Sequence, residues 1–357
     1  MIARHPRLRL IARAAFYGFL VLVAVLLARY ARGIDWGQVG AAIAGYGWRP
    51  LALAALLTSA SYLLYCGYDL AARRYAGHAL RTRRVMLIAF ISYALSMNIG
   101  ALLGGAGFRL RLYSRAGLSL ATTTRIIGFS TATNWLGYLL VAGALFAGRT
   151  LAPPASWRIG TGGLQALGVL MLLLVAAYLV ACRATRGRVF HLRGHHFRFP
   201  GPGLALVQLL LAACDWMLMA AILYVLLHGA VGYPLVLAVL LVAAVGTAVT
   251  HVPAGIGVLE AIFVALLGAL VPDARLIAAV LTYRAVYYLL PLLVAMALYA
   301  ALEARRHRPL WRVREVKADS AAADAGWSTD RARDRHLPGG APPAGRTAIR
   351  RPRSSAR

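Results

Sequence analysis

GTAVTHVPAGIGVLEAIFVALLG, residues 246–268, sits inside a long apolar run, yet its centre holds His251, Pro253, Gly255, Gly257 and Glu260. An uninterrupted membrane helix has no use for such a core. Proline removes a backbone donor and clashes with the preceding turn, and glycine loosens the backbone further. Within a bilayer, the freed backbone groups have to be buried in protein or line a cavity. The stretch therefore predicts a helix that breaks near Pro253 and a second helix that starts near Gly257, with Glu260 in its first turn. Broken helices near the midplane are where many transporters hold their substrates.

The surrounding chain supports a membrane reading. Its 357 residues are 61% hydrophobic, with a mean hydropathy of +0.68. Several runs exceed the roughly 18 apolar residues that mark a membrane helix. The formal charge is +28, from 39 Lys and Arg against 11 Asp and Glu. In a soluble chain that excess would suggest nucleic acid. Here it gathers in loops and in the tail, as orientation signals and anionic-lipid contacts do, so no nucleic-acid partner is expected. Cys66, Cys182 and Cys214 are scattered and form no CxxC pair, which reads as packing rather than metal or redox chemistry.

Arg4, Arg7, Arg9 and Arg13 precede an apolar run that ends at Arg29 without a small-residue cleavage site. A retained first span, at about 11–28, is expected. Residues 33–49, with Trp36, Tyr46 and Trp48, read as an interfacial segment. A second span, about 50–72, leads into a basic loop with Arg73, Arg74, Arg81, Arg83 and Arg84. Residues 85–107 are apolar but hold Asn98, Gly100, Gly104, Gly105 and Gly107, with Arg109, Arg111 and Arg115 directly behind. Further spans fall at about 119–147, 160–182 and 203–227; the broken stretch at 233–270 and a last span at 275–303 follow.

The positive-inside rule tests this layout. With the N-terminus in the cytoplasm, Arg109, Arg111 and Arg115 stay inside only if 85–107 enters and returns as a re-entrant hairpin. A second hairpin at 233–270, entering from outside, keeps the basic loop at 183–198 and the tail inside as well. The expectation is an all-α, polytopic bundle over 1–304 of six to eight spans, with six full crossings and two opposed re-entrant hairpins. That plan has the form of an inverted repeat. Straight crossings throughout would instead give eight or nine spans. Residues 305–357 carry 14 Lys or Arg against 5 Asp or Glu and few apolar residues, a composition expected to stay disordered against the cytoplasmic leaflet.

Ionisable residues inside spans are costly and face the bundle interior or a water-filled path. Arg284 lies about nine residues into the last span, roughly 14 Å along its axis, too deep to snorkel easily. Tyr287 and Tyr288, at i+3 and i+4, are expected on its face. Arg284 reads either as a phosphate anchor or as a structural partner of Glu260 or Asp215. Glu260, three residues after Gly257, reads either as a helix-capping carboxylate or as a coupling group. Asp215 lies mid-span with Gln208 two turns earlier and, being buried, needs a partner or a raised pKa; it reads as a structural pair rather than a transport group, and His251 beside the break reads as a cap on freed carbonyls rather than a proton sensor. Ser130, Asn134 and Gly137 share a face suited to helix packing. Asp69 and Arg73, at i and i+4, read as an interfacial pair, with Tyr62 and Tyr65 along the same face lining a groove. His191, His195 and His196 lie in an Arg-rich loop without a neighbouring carboxylate or cysteine, a solvated loop rather than a zinc site. No GxSxG, HExxH or Walker loop is present, so no catalytic residue, metal or cofactor is expected.

HVPAGIGVLEAIFVALLG at 251–268 resembles the Pro-Gly-Gly-x-Gly-x-x-Glu signature of the lysylphosphatidylglycerol synthase transmembrane-region family, with Ala254 in place of one glycine and Leu259 where many relatives have Arg. NIGALLGGAGFRLRLYSRAGLS at 98–119 is similar to its first glycine-rich hairpin, although residues 123–125 lack the acidic group expected nearby. TYRAVYYLLPLL at 282–293 is similar to the last span of its stand-alone bacterial members. The resemblance implies a helical bundle with re-entrant segments, which in two-domain relatives moves a lipid between leaflets. A separate soluble domain in those relatives transfers the aminoacyl group. Nothing here resembles that domain, so synthase activity is not implied.

The resulting expectation is a bacterial inner-membrane protein that moves or equilibrates a lipid, either an anionic phospholipid or an isoprenoid-type lipid. Its headgroup would be met by Arg284, Glu260, Gly257, Gly255, Pro253, His251, Asn134, Asp215 and Tyr287, and Arg109 and Arg111 would gather headgroups at the cytoplasmic mouth. Two other readings are a non-catalytic partner of a lipid-synthesis enzyme, docking through the basic tail, and a membrane enzyme built on Asp215 and His251.

Overall fold

The computed structural model describes residues 36–151, 160–185, 189–192, 195–250 and 252–304. The expected first span, His251 and the basic tail fall outside them. The chain divides into two units, Met1–Leu302 and Glu303–Arg357. The described helices are α1 (Trp36–Ala44), α2 (Trp48–Ala76), α3 (Thr82–Ile99), α4 (Phe108–Arg115), α5 (Leu120–Ala147), α6 (Thr161–Thr185), α7 (Pro202–Leu226), α8 (Tyr233–Thr250), α9 (Val258–Leu267), α10 (Asp273–Tyr283) and α11 (Leu290–Ala304). A π-helical segment, Ala101–Gly107, joins α3 to α4, and a second, Arg284–Leu289, joins α10 to α11 into one long helix. Among the described residues, six helices are long and apolar enough to cross a membrane: α2, α5, α6, α7, α8 and the composite Asp273–Ala304.

Among the described residues the architecture is all-α apart from one short hairpin. Strands β1 (Val189–Leu192) and β2 (His195–Arg198) pair antiparallel, with His191 opposite His196. This replaces the loop expected around the histidines. The sequence carries a reason: only Arg and Gly separate Val-Phe-His-Leu from His-His-Phe-Arg, a two-residue spacing with glycine that suits a tight hairpin. Arg73 and Arg74 likewise belong to the last turn of α2 rather than to a loop, where cations complement the helix dipole.

Two ends of the bundle can be told apart by their contacts. At the first end, Tyr46 donates to the Leu226 carbonyl at 2.7 Å and stacks on His228. Burial pushes the Tyr46 phenol up to about 12, so it remains a donor at neutral pH. Arg275 donates to the Leu227 carbonyl at 3.0 Å. The start of α2, the end of α7 and the start of α10 therefore meet there. At the second end, Arg73 donates to the Leu80 carbonyl and to Thr82 Oγ1, and the His78 ring meets the edge of Tyr113. The end of α2, the start of α3 and the end of α4 meet there.

Each end sends one hairpin inward. From the second end, α3 rises to Gly100, the chain reverses, and the first π-segment and α4 return beside it. The return limb packs so closely that a Cβ on Gly104 would lie 2.2 Å from the Leu95 carbonyl oxygen, so only glycine fits. From the first end, α8 descends to residue 250 and α9 climbs back against it, with Gly246 facing Ile262 and Val258. The tip of this hairpin is a 3-10 turn, Pro253–Gly255, that packs against α3. The hairpins thus enter from opposite ends and meet within the bundle, while α2, α5 and α7 pack against one another. Helix α6 packs on α5 and turns Leu170, Leu173, Leu174 and Val180 outward, as a lipid-facing helix does.

Candidate functional site

Among the described residues, three buried carboxylates organise the interior. Glu260 and Arg284 form the first group. The break near Pro253 leaves a tight turn in which Ala254, Gly255 and Gly257 all have positive φ, 55°, 59° and 80°. Such a turn cannot satisfy its own carbonyls by helical bonding. Arg284 does so instead: Nη1 donates to the Ala254 carbonyl and Nη2 to the Gly255 carbonyl, each at 2.7 Å. Its Nε donates to Glu260 Oε1 at 2.6 Å and its Nη2 to Oε2 at 3.1 Å. Glu260 Oε2 also accepts from the Gly257 amide at 2.8 Å, the capping geometry expected from the sequence. Gly255 is required twice over, by its φ and by Thr247, whose side chain would lie 2.6 Å from an added Cβ. Arg284 pairs with Glu260, not with Asp215.

The π-winding alters the expected face of Arg284. Its guanidinium lies over the ring of Tyr288, 5.5 Å from the centroid, whereas Tyr287 is buried and faces away, bonded to Ser61 and Tyr93. The wide turn frees the carbonyls of Tyr287 and Tyr288, and these accept from Tyr62 at 3.1 Å and Asn98 at 3.2 Å. A π-segment inside an α-helix often marks a functional position.

The second group corrects two expectations. Asp69 is fully buried and pairs with Arg109 rather than Arg73. Arg109 Nη2 donates to Asp69 Oδ1 at 3.0 Å and Nε to Oδ2 at 3.2 Å. Tyr113 and Ser130 donate to the same carboxylate at 2.9 and 2.7 Å. Arg109 is 4% exposed and lies over the Tyr65 ring, so it is committed inside the bundle instead of waiting at its mouth. The return of the first hairpin causes this, by bringing Arg109 and Tyr113 of α4 within reach of Asp69 on α2. Arg111, on the other side of α4, is exposed, with its guanidinium over Tyr299. Tyr62 and Tyr65 are buried in an aromatic cluster with Tyr68, Tyr93 and Tyr287 and do not line an open groove.

The third group is Asp215 on α7. Ser61 donates to its Oδ1 and Tyr68 to its Oδ2, the latter at 3.1 Å. Gln208 belongs to a separate bridge, donating to Thr133 Oγ1 at 2.7 Å and accepting from Tyr178 at 2.6 Å. Asn134 is half-buried, and its carbonyl accepts from the Trp216 indole. Gly137, one turn on, lets α5 touch Ala212 of α7. Ser61, Tyr68, Tyr93 and Tyr113 were missed as polar partners by reading single residues. The spacing of Ser61, Tyr65 and Tyr68, at i, i+4 and i+7, was the available signal, since it stacks polar groups on one face of α2.

A family model for the lysylphosphatidylglycerol synthase TM region matches residues 13–295. The chain belongs to this family. The inner membrane protein YbhN of Escherichia coli (strain K12) is 42% identical over 306 residues, covering 85% of this chain and 96% of that protein. The Synechocystis protein slr0712 is 32% identical over 290 residues, covering 80% of this chain and 88% of its own. With its apolar helices, the family places the chain among integral, multi-pass membrane proteins.

Proposed function

We propose that the protein is a non-catalytic lipid translocase or facilitator of the bacterial inner membrane, and that its cargo carries an anionic headgroup. The observation that carries this reading is the Arg284 clamp, a guanidinium and a carboxylate fastened to a broken turn where two opposed hairpins meet. Intramembrane charges at such breaks mark substrate paths. A guanidinium has five N–H donors. Here four bonds run to Glu260 and to two backbone carbonyls. A headgroup phosphate arriving at the tip offers Arg284 oxygens in place of the carboxylate, while Glu260 keeps its bond to the Gly257 amide. Exchange of partners then opens the clamp as the headgroup passes and closes it behind, with the acyl or isoprenoid chains remaining in the bilayer. The end rich in arginine, with Arg73, Arg74, Arg81, Arg83 and Arg84, faces the cytoplasm in this reading, together with both termini.

The protein in liposomes is expected to accelerate leaflet exchange of a fluorescent anionic lipid, read by dithionite quenching, and Arg284→Ala to slow that exchange by about tenfold, as loss of a charged hydrogen-bond anchor does. Failure to accelerate exchange of any of a broad set of anionic and isoprenoid lipids would sink the reading. A second reading, docking of a lipid-synthesis enzyme, is favoured by the charge of the tail, with 14 Lys or Arg in residues 305–357. Truncation after residue 304 separates the two, because it removes docking and leaves translocation.

A further inference from the structure

We infer that Asp215 is a proton-binding site whose occupancy is transmitted to the Arg284 clamp through the second π-segment. The link to transport rests on the lipid-exchange reading; proton binding itself does not.

The three buried carboxylates differ in what holds them. Asp69 and Glu260 each have a guanidinium at hydrogen-bond distance. Asp215, 2% exposed, is held by the hydroxyls of Ser61 and Tyr68. Among the described residues, the titratable side chains that interact electrostatically with it are Tyr62, Tyr65, Cys66 and Tyr68 of α2, Tyr93 of α3, Tyr283 of α10 and Tyr287 of the π-segment. All are phenols or thiols. Arg109 lies beyond the Tyr65 ring and is already committed to Asp69. A carboxyl in this setting exchanges a proton without displacing a counter-ion from among the described residues.

The hydroxyl chain supplies the transmission. Ser61 bonds Tyr287 at 2.8 Å, and Tyr287 bonds Tyr93 at 2.8 Å. A hydroxyl carries one proton, so an ionised carboxyl, which only accepts, fixes the direction of every bond along the chain, and a protonated one releases it. When Asp215 is ionised, Ser61 donates to it, Tyr287 donates to Ser61 and Tyr93 donates to Tyr287. When Asp215 is protonated, its own O–H can donate to Ser61, and the order along Ser61, Tyr287 and Tyr93 can then reverse. Tyr287 stands three residues after Arg284 in the same π-segment. That segment is also gripped at its Tyr287 and Tyr288 carbonyls by Tyr62 and Asn98. A change at Tyr287 therefore falls on the backbone that aims the Arg284 guanidinium at the tip. Two further buried hydroxyls, Thr58 and Tyr283, have no protein partner among the described residues. They lie one turn from Ser61 and Tyr287, both toward the first end, and extend the polar path that way.

The full chain in lipid nanodiscs, without added lipid cargo, provides the test. Infrared difference spectra between about pH 5 and about pH 9, a range wide enough to titrate a carboxyl in an apolar site, are expected to show a protonated-carboxyl band. The band should be lost in Asp215→Asn and retained at a shifted position in Ser61→Ala, which keeps the carboxyl but removes one donor. Identical spectra for wild type and Asp215→Asn overturn the site. The protection of the peptide covering 252–260, its hydrogen exchange relative to the intrinsic rate at each pH, is expected to change by about tenfold over the same range in wild type and not in Asp215→Asn, as a local opening does. Protection at the tip that does not vary with pH in wild type overturns the transmission even if the band is present. Both readouts are free of lipid exchange, so their failure and that of the translocase reading are distinguishable.

Discussion

The Asp69–Arg109 pair and the Glu260–Arg284 pair look alike as ion pairs and differ in what they fasten. Asp69 and Arg109 join two regular helices, α2 and α4, and every further donor to Asp69 is another side chain. Nothing about the backbone there depends on the charge. Arg284 spends two of its bonds on the carbonyls of a turn that has left helical geometry. One pair seals the base of the first hairpin, and the other completes the tip of the second. A buried pair that joins finished elements acts as a rivet, whereas one that finishes an element is available for exchange, because a ligand with the same oxygens can take over part of its role.

Removal of the rivet is expected to have the larger effect. Asp69→Ala leaves Arg109 buried without its carboxylate, and loss of one partner from a buried pair costs about 3–5 kcal/mol. Thermal unfolding in detergent should show this as a large fall in the midpoint, and Asp69→Leu combined with Arg109→Leu should recover part of it. Equal stability of Asp69→Ala and wild type would mean that the pair is not structural. Arg284→Lys is expected to cost less, about 2–3 kcal/mol, since the charge remains and the planar fork that reaches Glu260 and two carbonyls is lost. Its signature is local: faster hydrogen exchange at 252–260 with little change at α2 and α4. If exchange rises throughout the bundle, the tip is as integral as the rivet. The smallest change is at Ala254, which adopts φ 55° where the family signature has glycine. Ala254→Gly removes a left-handed strain of about 1 kcal/mol and should raise the unfolding midpoint slightly; a lower midpoint would show that the methyl packs usefully.

Much of the second hairpin was legible because its signals are local. Pro253 and the glycines interrupt a helix through their own backbones, and Glu260 reaches the Gly257 amide three residues away. The first hairpin was legible from charge, since Arg109, Arg111 and Arg115 are out of place on the far side of a crossing. Asp69 was not. Its neighbour Arg73 has ideal helical spacing, but its partner lies 40 residues away on a limb that returns only because Gly104 fits against Leu95. Long-range pairing of this kind has no local periodicity to read. The π-segments were also invisible in the sequence, because Arg284, Tyr287 and Tyr288 satisfy α-helical spacing just as well. Only the partners at the Tyr287 and Tyr288 carbonyls reveal the wider turn.

That wider turn has a geometric result for the rest of its helix. It holds one residue more than an α-turn, and one residue corresponds to about 100° of rotation about the axis. Beyond Leu289 the helix is therefore out of phase with α10 by more than a quarter of a circle. In that phase Pro291 and Ala295 point inward while Leu293, Val294 and Met296 point outward. The extra residue is slack in a shaft. Taking it up at one end or the other would turn α11 relative to α10 without severing the rod, so two halves of a single membrane helix can keep different bearings.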